Sequence, residues 1–333
     1  MPTDIRVVAL TGGLMSDAPP PLEMVSDHAS VSIANSLDEL KEQLPTADVL
    51  LVWDYRYADL EPLLSSASHL KWIHAASVGV DPLLTPELDR RGITLTNSRG
   101  VFDSAIAEYV VGLLLAHLKR IPETLALQSD HVWEHRITKR LQGQKIAVVG
   151  TGSIGRCIGR MLLALGVDVV LVGRREASND PEFGQIPSVE RLEEVAANAS
   201  ALVLAAPLTS GSRGMVDGAV LRALGSDGYL VNVGRGALVV EDDLIDALSS
   251  GNLGGAALDV FTTEPLPPNS PLWELENVIV SPHMSADYDG FDHDLVALFC
   301  DNLLRWKDET PLVNIVDVKL GYVPSLTGEA ARG

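Results

Sequence analysis

The sequence predicts an α/β protein of two domains, each a doubly wound parallel sheet. Three observations carry that reading. The chain of 333 residues is 46% hydrophobic and 21% charged, enough apolar material for one or two sizeable cores and far from a disordered or fibrous composition. Short β-branched runs alternate with helically spaced segments along most of its length, the pattern of strands joined by crossover helices. A long apolar helical stretch interrupts the alternation near residue 105, after which it starts afresh.

In chain order, residues 7–10 read as the first strand, 37–44 as a helix, and 49–53, 71–74 and 94–96 as further strands. Residues 105–118 read as one helix with Ser104 at its N-cap; apolar on every side, it is expected to lie buried between the domains. Its apolar run, residues 109–118, ends at Lys119-Arg120, well short of the roughly 20 residues of a membrane span. The second alternation opens at Lys145–Val149 and continues through strands at 169–172, 201–205, Tyr229–Asn232, 256–259 and Val278–Val280. Prolines between residues 264 and 271 exclude helix there and predict a fixed loop near the strand ends, and 295–306 reads as a returning helix. On this reading residues 1–99, completed by 287–333, form one domain, and 100–286 form the other.

Charge narrows the function. Asp and Glu number 45 against 25 Lys and Arg, a net charge of −20 that repels a phosphate backbone, so no nucleic acid partner is expected. Cys157 and Cys300 are the two cysteines, far apart, which offers neither a disulfide framework nor a metal cluster and fits a reducing cytoplasm. The N-terminal residues lack the basic and apolar blocks of a signal peptide. Neither a leader nor a membrane association is expected.

The second alternation begins with a motif that carries chemistry. Strand Lys145–Val149 runs into Gly150-Thr151-Gly152-Ser153-Ile154-Gly155, and helically spaced residues follow to 165. This is GxGxxG in the strand-to-helix context of a Rossmann dinucleotide site. The first glycine permits the tight turn, the second admits a pyrophosphate to backbone N–H groups, and the third allows close packing of helix on strand. Eighteen residues after Gly155, where an NAD site places Asp or Glu on the ribose 2′-hydroxyl, stands Gly173, followed by Arg174 and Arg175. Two guanidiniums suit a 2′-phosphate, at roughly 1.5–3 kcal/mol per charge-assisted bond. NADP(H) is therefore the expected cofactor, with NAD(H) still open.

Three further motifs end strands of the same domain: Asn232-Val233-Gly234-Arg235-Gly236, then Asp259 through Glu264-Pro265, then Ser281-Pro282-His283. In a doubly wound sheet the ligand crevice lies beyond the carboxyl ends of the strands, so these residues are expected to converge. An imidazole titrates near neutrality, a carboxylate beside it favours its protonated form, and a guanidinium fork suits two oxygens. His283, Glu264 and Arg235 are the candidate catalytic set. Taken singly, each would more often be an ordinary loop or surface charge.

With Ser77-Val78-Gly79-Val80-Asp81, Thr96-Asn97-Ser98-Arg99-Gly100, Ala107-Glu108, Trp133, Pro207-Leu208-Thr209 and residues 242–248, the motifs resemble the D-isomer-specific 2-hydroxyacid dehydrogenase family from about Val7 to Tyr322. Within it the chain is most similar to the glyoxylate and hydroxypyruvate reductase branch. The resemblance implies a Rossmann cofactor domain with a flavodoxin-like substrate domain, and reduction of a small 2-oxo acid to the D-2-hydroxy acid. It implies His283 as general acid paired with Glu264, Arg235 on the substrate carboxylate and keto oxygen, and Ser77, Val78 and Gly79 in the loop that binds that carboxylate. It places Pro207, Thr209, Ser212, Val233, Gly234 and Asp259 beside the cofactor, Asp259 on the nicotinamide side.

The resemblance also implies a homodimer, with Trp133 and its neighbours in an arm reaching the partner. Tyr55, Arg56 and Tyr57 follow a strand and are candidates to touch the substrate side chain. His74, His131 and His135 read as structural or surface residues. The chain ends soon after Tyr322, so no added regulatory domain is expected. Two other functions fit the same motifs: a dinucleotide-sensing, corepressor-like binding protein, and NAD-dependent oxidation of a D-2-hydroxy acid.

Overall fold

The computed structural model describes residues 5–11, 20–54 and 60–324, so Tyr55, Arg56 and Tyr57 lie outside the described residues. The chain forms two compact units, Met1–Phe102 with Tyr288–Gly333, and Asp103–Asp287.

In the first unit the elements run β1 (Arg6–Leu10), α1 (Glu23–Ser26), β2 (Ser30–Ala34), α2 (Leu37–Gln43), β3 (Val49–Val52), α3 (Glu61–Leu64), β4 (Trp72–Ala75), α4 (Pro86–Arg91) and β5 (Thr94–Asn97). All five strands are parallel in the order β2-β1-β3-β4-β5, the flavodoxin-like arrangement. β3 and β4 are buried at every residue, which is why they read as unbroken apolar runs. β2 escaped the sequence reading: it is an edge strand, SVSIA, with only Ala34 fully buried, and its polar residues mask the pattern. The core beneath the sheet joins Leu10, Leu50, Ile73 and Leu95 to Leu40, Leu64 and Leu88.

The second unit opens with α5 (Asp103–Leu118) and α6 (Ile121–Ser129), followed by β6 (Lys145–Val149), α7 (Ser153–Ala164), β7 (Asp168–Val172), β8 (Ala177–Asp180), β9 (Gly184–Ile186), α8 (Leu192–Ala196), β10 (Ala201–Leu204), α9 (Gly218–Leu224), β11 (Tyr229–Asn232), α10 (Glu241–Ser249), β12 (Gly255–Leu258) and β13 (Val278–Val280). Six strands form a parallel sheet in the order β13-β12-β11-β10-β6-β7, while β8 and β9 form a separate antiparallel hairpin. After β7 the chain crosses to the other side of β6 to lay down β10, so the topological switch point falls between β6 and β10. The last helix, α11 (Phe291–Lys307), returns to the first unit and stacks Phe299 and Trp306 on Trp72.

Two expectations about α5 need correction. The helix begins at Asp103, so Ser104 lies in its first turn rather than at the cap. Nor is it enclosed on all sides: Ile106, Val110, Leu113 and Leu114 are buried, but Glu108 and Leu115 are exposed. One face packs on α7 and the other stays open within this unit. Among the described residues, no helix is long and apolar enough to cross a membrane.

Candidate active site

The dinucleotide motif sits at the switch point. β6 delivers Gly150 against the end of β10, and α7 starts at Ser153 with Gly152 as its extended N-cap. A Cβ on Gly155 would lie 2.0 Å from the Gly150 carbonyl oxygen, so only glycine lets the helix approach the turn. A Cβ on Gly152, by contrast, would meet nothing within 4 Å, which leaves open space over the helix N-terminus. The first turn of a helix has N–H groups without helical partners and a favourable dipole for an anion, so the cradle fits a pyrophosphate.

Neighbouring strand ends complete this edge. Beyond β10, Ser212 Oγ accepts from the Thr209 N–H at 2.8 Å and donates to the Pro207 carbonyl at 2.8 Å, which folds residues 207–212 into a fixed loop. Beyond β11, the buried Asn232 side chain accepts from the Gly234 N–H (3.1 Å) and donates to the Arg235 carbonyl (3.0 Å), curling Val233 and Gly234 over the strand end. The same turn launches the Arg235 side chain, whose Nη1 donates to the Gly234 carbonyl at 2.8 Å.

The candidate acid–base pair follows β12 and β13. His283 Nδ1 lies 2.7 Å from Glu264 Oε2, and Glu264 Oε1 accepts the Phe261 N–H at 2.9 Å. Their side chains are 24% and 26% exposed, so the pair is shielded yet open to a ligand. Burial alone would raise the Glu264 carboxyl; the His283 hydrogen bond and charge, the Phe261 N–H and the Arg235 guanidinium outweigh it and hold it below the ordinary carboxylate range. The carboxylate is therefore ionised at neutral pH and fixes the imidazole so that Nε2 is left for chemistry.

His283 has φ 54°, a left-handed conformation that a residue with a Cβ adopts only when its surroundings hold it. Asp259 supplies that hold. The residue is fully buried, and its carboxylate accepts the Ser281 hydroxyl, the Met284 N–H (2.9 Å) and the Ser285 N–H (3.0 Å), the amides that follow His283. Both oxygens of Asp259, the residue that the sequence reading sets on the nicotinamide side, accept hydrogen bonds from the turn that carries His283. Because the Ser281 proton goes to Asp259, the Tyr109 hydroxyl is the donor to Ser281 Oγ, at 2.7 Å. Nothing in the sequence signals this link, since Tyr109 lies on α5, 172 residues away.

In the first unit, Ser77, Val78 and Gly79 form the bend after β4. Their carbonyls are all tied down: Ser77 O accepts the Ser98 N–H (2.9 Å), Val78 O the Asn97 amide (2.7 Å), and Gly79 O the Ser77 hydroxyl (2.8 Å). In a trans peptide the N–H points opposite to the carbonyl, so the Val78 and Gly79 amides are turned away from β5, as an anion-binding loop requires.

Comparisons with known proteins identify the family. Residues 111–285 match the model of the D-isomer specific 2-hydroxyacid dehydrogenase NAD-binding domain. A glyoxylate/hydroxypyruvate reductase of Arabidopsis thaliana is 31% identical over 262 residues, 78% of this chain and 80% of that one. The glyoxylate reductase of Thermofilum pendens is 34% identical over 298 residues, 86% and 87% of the two chains. Among solved structures, an NADPH-dependent glyoxylate/hydroxypyruvate reductase of Sinorhizobium meliloti in complex with NADP and sulfate superposes with a TM-score of 0.81 at 27% identity, covering 96% of this chain and 100% of that one. Two parallel sheets, a glycine cradle at the switch point of one, a histidine–carboxylate pair beyond strand ends of that same sheet and these matches together place the chain in the D-isomer specific 2-hydroxyacid dehydrogenase family, in its glyoxylate/hydroxypyruvate reductase-like branch.

Proposed function

We propose that the protein is an NADPH-dependent reductase that converts a small 2-oxo acid, of the size of glyoxylate or hydroxypyruvate, to the D-2-hydroxy acid. The observation that carries this reading is the His283–Glu264 pair at 2.7 Å, within the field of Arg235 and in the same unit as the glycine cradle. The reduced nicotinamide, when bound, supplies the hydride. His283 keeps its Nδ1 proton on Glu264 and donates its Nε2 proton to the keto oxygen, which leaves a neutral imidazole still hydrogen-bonded to the carboxylate. Arg235 pairs with the substrate carboxylate and the keto oxygen, stabilising negative charge as it develops. The first unit acts as the substrate domain, with the outward amides of Val78 and Gly79 as its anion contact. Gly150 to Gly155 cradle the pyrophosphate, and Arg174 and Arg175, which follow β7 directly, meet the 2′-phosphate.

The protein acts as a homodimer in a reducing cytoplasm. Trp133 and Ile137 are 98% and 88% exposed on the segment after α6, an apolar surface that a second copy would cover. Light scattering of the protein and of a Trp133→Ser variant tests this: a dimer weakened by the substitution supports it, and a monomeric wild type overturns it.

The deciding experiment compares NADPH and NADH oxidation with glyoxylate, hydroxypyruvate, pyruvate and phenylpyruvate. NADPH-selective turnover that falls with side-chain size is expected. A protein that binds NADPH yet turns over none of these acids overturns the reading.

A further inference from the structure

The hairpin β8–β9 has no counterpart in the motifs read from the sequence, and it begins two residues after Arg175. Its base is pinned to the end of β7, where the Gly173 N–H donates to the Pro187 carbonyl (2.9 Å) and the Val189 N–H to the Gly173 carbonyl (2.8 Å). Its tip is organised by Asp180, whose Oδ1 accepts the N–H groups of Glu182 (3.1 Å) and Phe183 (3.0 Å). The tip then docks on α7. Arg156 binds both oxygens of Asp180 in a fork and also reaches Glu182 Oε2 at 3.3 Å, while Arg160 pairs with Glu182. The Phe183 ring lies on the helix under the Arg156 guanidinium, 5.6 Å away, and a Cβ on Gly159 would come within 2.7 Å of it. Glycine at 159 is thus what lets the ring sit there.

Arg156 does one thing more. Its Nε donates to the Thr151 carbonyl at 3.1 Å, inside the glycine cradle itself. One side chain therefore connects the loop that faces the pyrophosphate with the hairpin that continues from Arg174 and Arg175. The contact is shielded, with Arg156 and Asp180 side chains 25% and 9% exposed, so it is not an ordinary solvated ion pair. The Arg156 hydrogen bond, opposed by burial and helped by the two tip amides, pulls the Asp180 carboxyl down to about 2, so the link is intact throughout the neutral range.

We infer that Arg156 is a positioning residue for cofactor choice: through Asp180 it fastens the hairpin to the glycine cradle and so holds Arg174 and Arg175 at a set distance from the pyrophosphate, where a 2′-phosphate falls. The inference rests on the proposed NADP(H) reading and names the device that makes it selective. A phosphate bound by two arginines on a loose segment has to order that segment first; a segment ordered in advance spares that cost for NADPH and gives nothing to NADH.

The test is direct binding, by calorimetry, of NADPH, NADH and adenosine 2′,5′-bisphosphate to wild type, Asp180→Asn and Arg156→Lys, each with its circular dichroism compared. Asp180→Asn removes the charged fork, the main link to the hairpin, but leaves Arg156 on Thr151 and Glu182, so its Kd for NADPH and the bisphosphate rises roughly three- to tenfold while that for NADH stays within about twofold. Arg156→Lys keeps the charge but loses the fork and the Thr151 bond, and weakens both dinucleotides, NADPH more. Equal weakening of NADPH and NADH by Asp180→Asn, or no weakening of either, overturns the inference. A wild type that binds NADH as tightly as NADPH overturns the cofactor reading and the inference with it, and the wild-type ratio tells the two failures apart.

Discussion

Each unit places a histidine near the carboxyl edge of its parallel sheet, and the two have opposite chemistry. His74, on β4 of the first unit, is fully buried against Trp72 and Phe299. The Ser98 hydroxyl donates to the Ala75 carbonyl (2.9 Å) and so accepts from His74 Nε2 (3.4 Å), which leaves Nδ1 of the neutral ring unprotonated to accept from Thr96 Oγ1 at 2.7 Å, while the Trp72 indole donates to that same oxygen (2.8 Å). Burial with no counter-charge drives its pKa down to about 3. His283 instead sits after β13, partly open, with a carboxylate on Nδ1. Desolvation alone makes a histidine a fixed, neutral hydrogen-bond acceptor; a half-open site with a carboxylate suits it to the proton-donor role proposed for His283. The residue type is the same, and its surroundings assign the work.

The sharpest way to break this contrast is His283→Ala, which is expected to lower kcat by roughly 10²–10⁴-fold with NADPH affinity kept, as general acid loss does. Steady-state rates alongside calorimetric binding check it, and a loss below tenfold would contradict the assignment. Next comes Glu264→Gln, expected to cost on the order of tenfold to a hundredfold in kcat, the worth of one charge-assisted bond. The pairing holds Glu264 below the ordinary carboxylate range, so it is a charged acceptor that the variant removes, and a kcat equal to wild type would contradict its role.

His74 is tested through the pH dependence of stability. Its folded pKa lies below the ordinary 6.5, so its contribution to stability is full above that value and is lost progressively as pH falls toward about 3. His74→Gln is expected to destabilise the protein by ~1–3 kcal/mol at pH 7 while flattening the fall in stability over that window, read by thermal melts at several pH values. If the substitution leaves the slope unchanged, burial of a neutral imidazole is not the source of acid lability. The smallest effect belongs to Tyr109→Phe, which removes one donor from the chain that runs through Ser281 and Asp259 to the turn of His283. A cost of ~0.5–1.5 kcal/mol, seen as a few-fold drop in kcat with substrate KM little changed, is expected.

Legibility in the sequence follows burial. Strands β3, β4, β6, β10 and β11 are sandwiched on both faces, so their residues form continuous apolar runs that a reader of sequence finds at once. Elements that were overlooked bury little: β2 is an edge strand, β8 reads ASND, and α6 has no fully buried residue. Their polar faces carry no period, and they are held by partners elsewhere in the chain. The candidate site divides in the same way. Gly150, Gly152, Gly155, Arg235, Glu264 and His283 stood out because their chemistry is tied to residue type and to a place at a strand end.

The sequence by itself determined the fold class and the glycine motif between β6 and α7, and it singled out His283, Glu264 and Arg235 as candidates, because periodicity and motif spacing are local properties. Only the tertiary structure decided that Asp259 holds the turn of His283, that Tyr109 reaches that turn from α5, and that Arg156 joins the cradle to the hairpin. These links join residues up to 172 positions apart, and a hydrogen bond at that separation is set by where packed elements place two side chains, which no local pattern encodes.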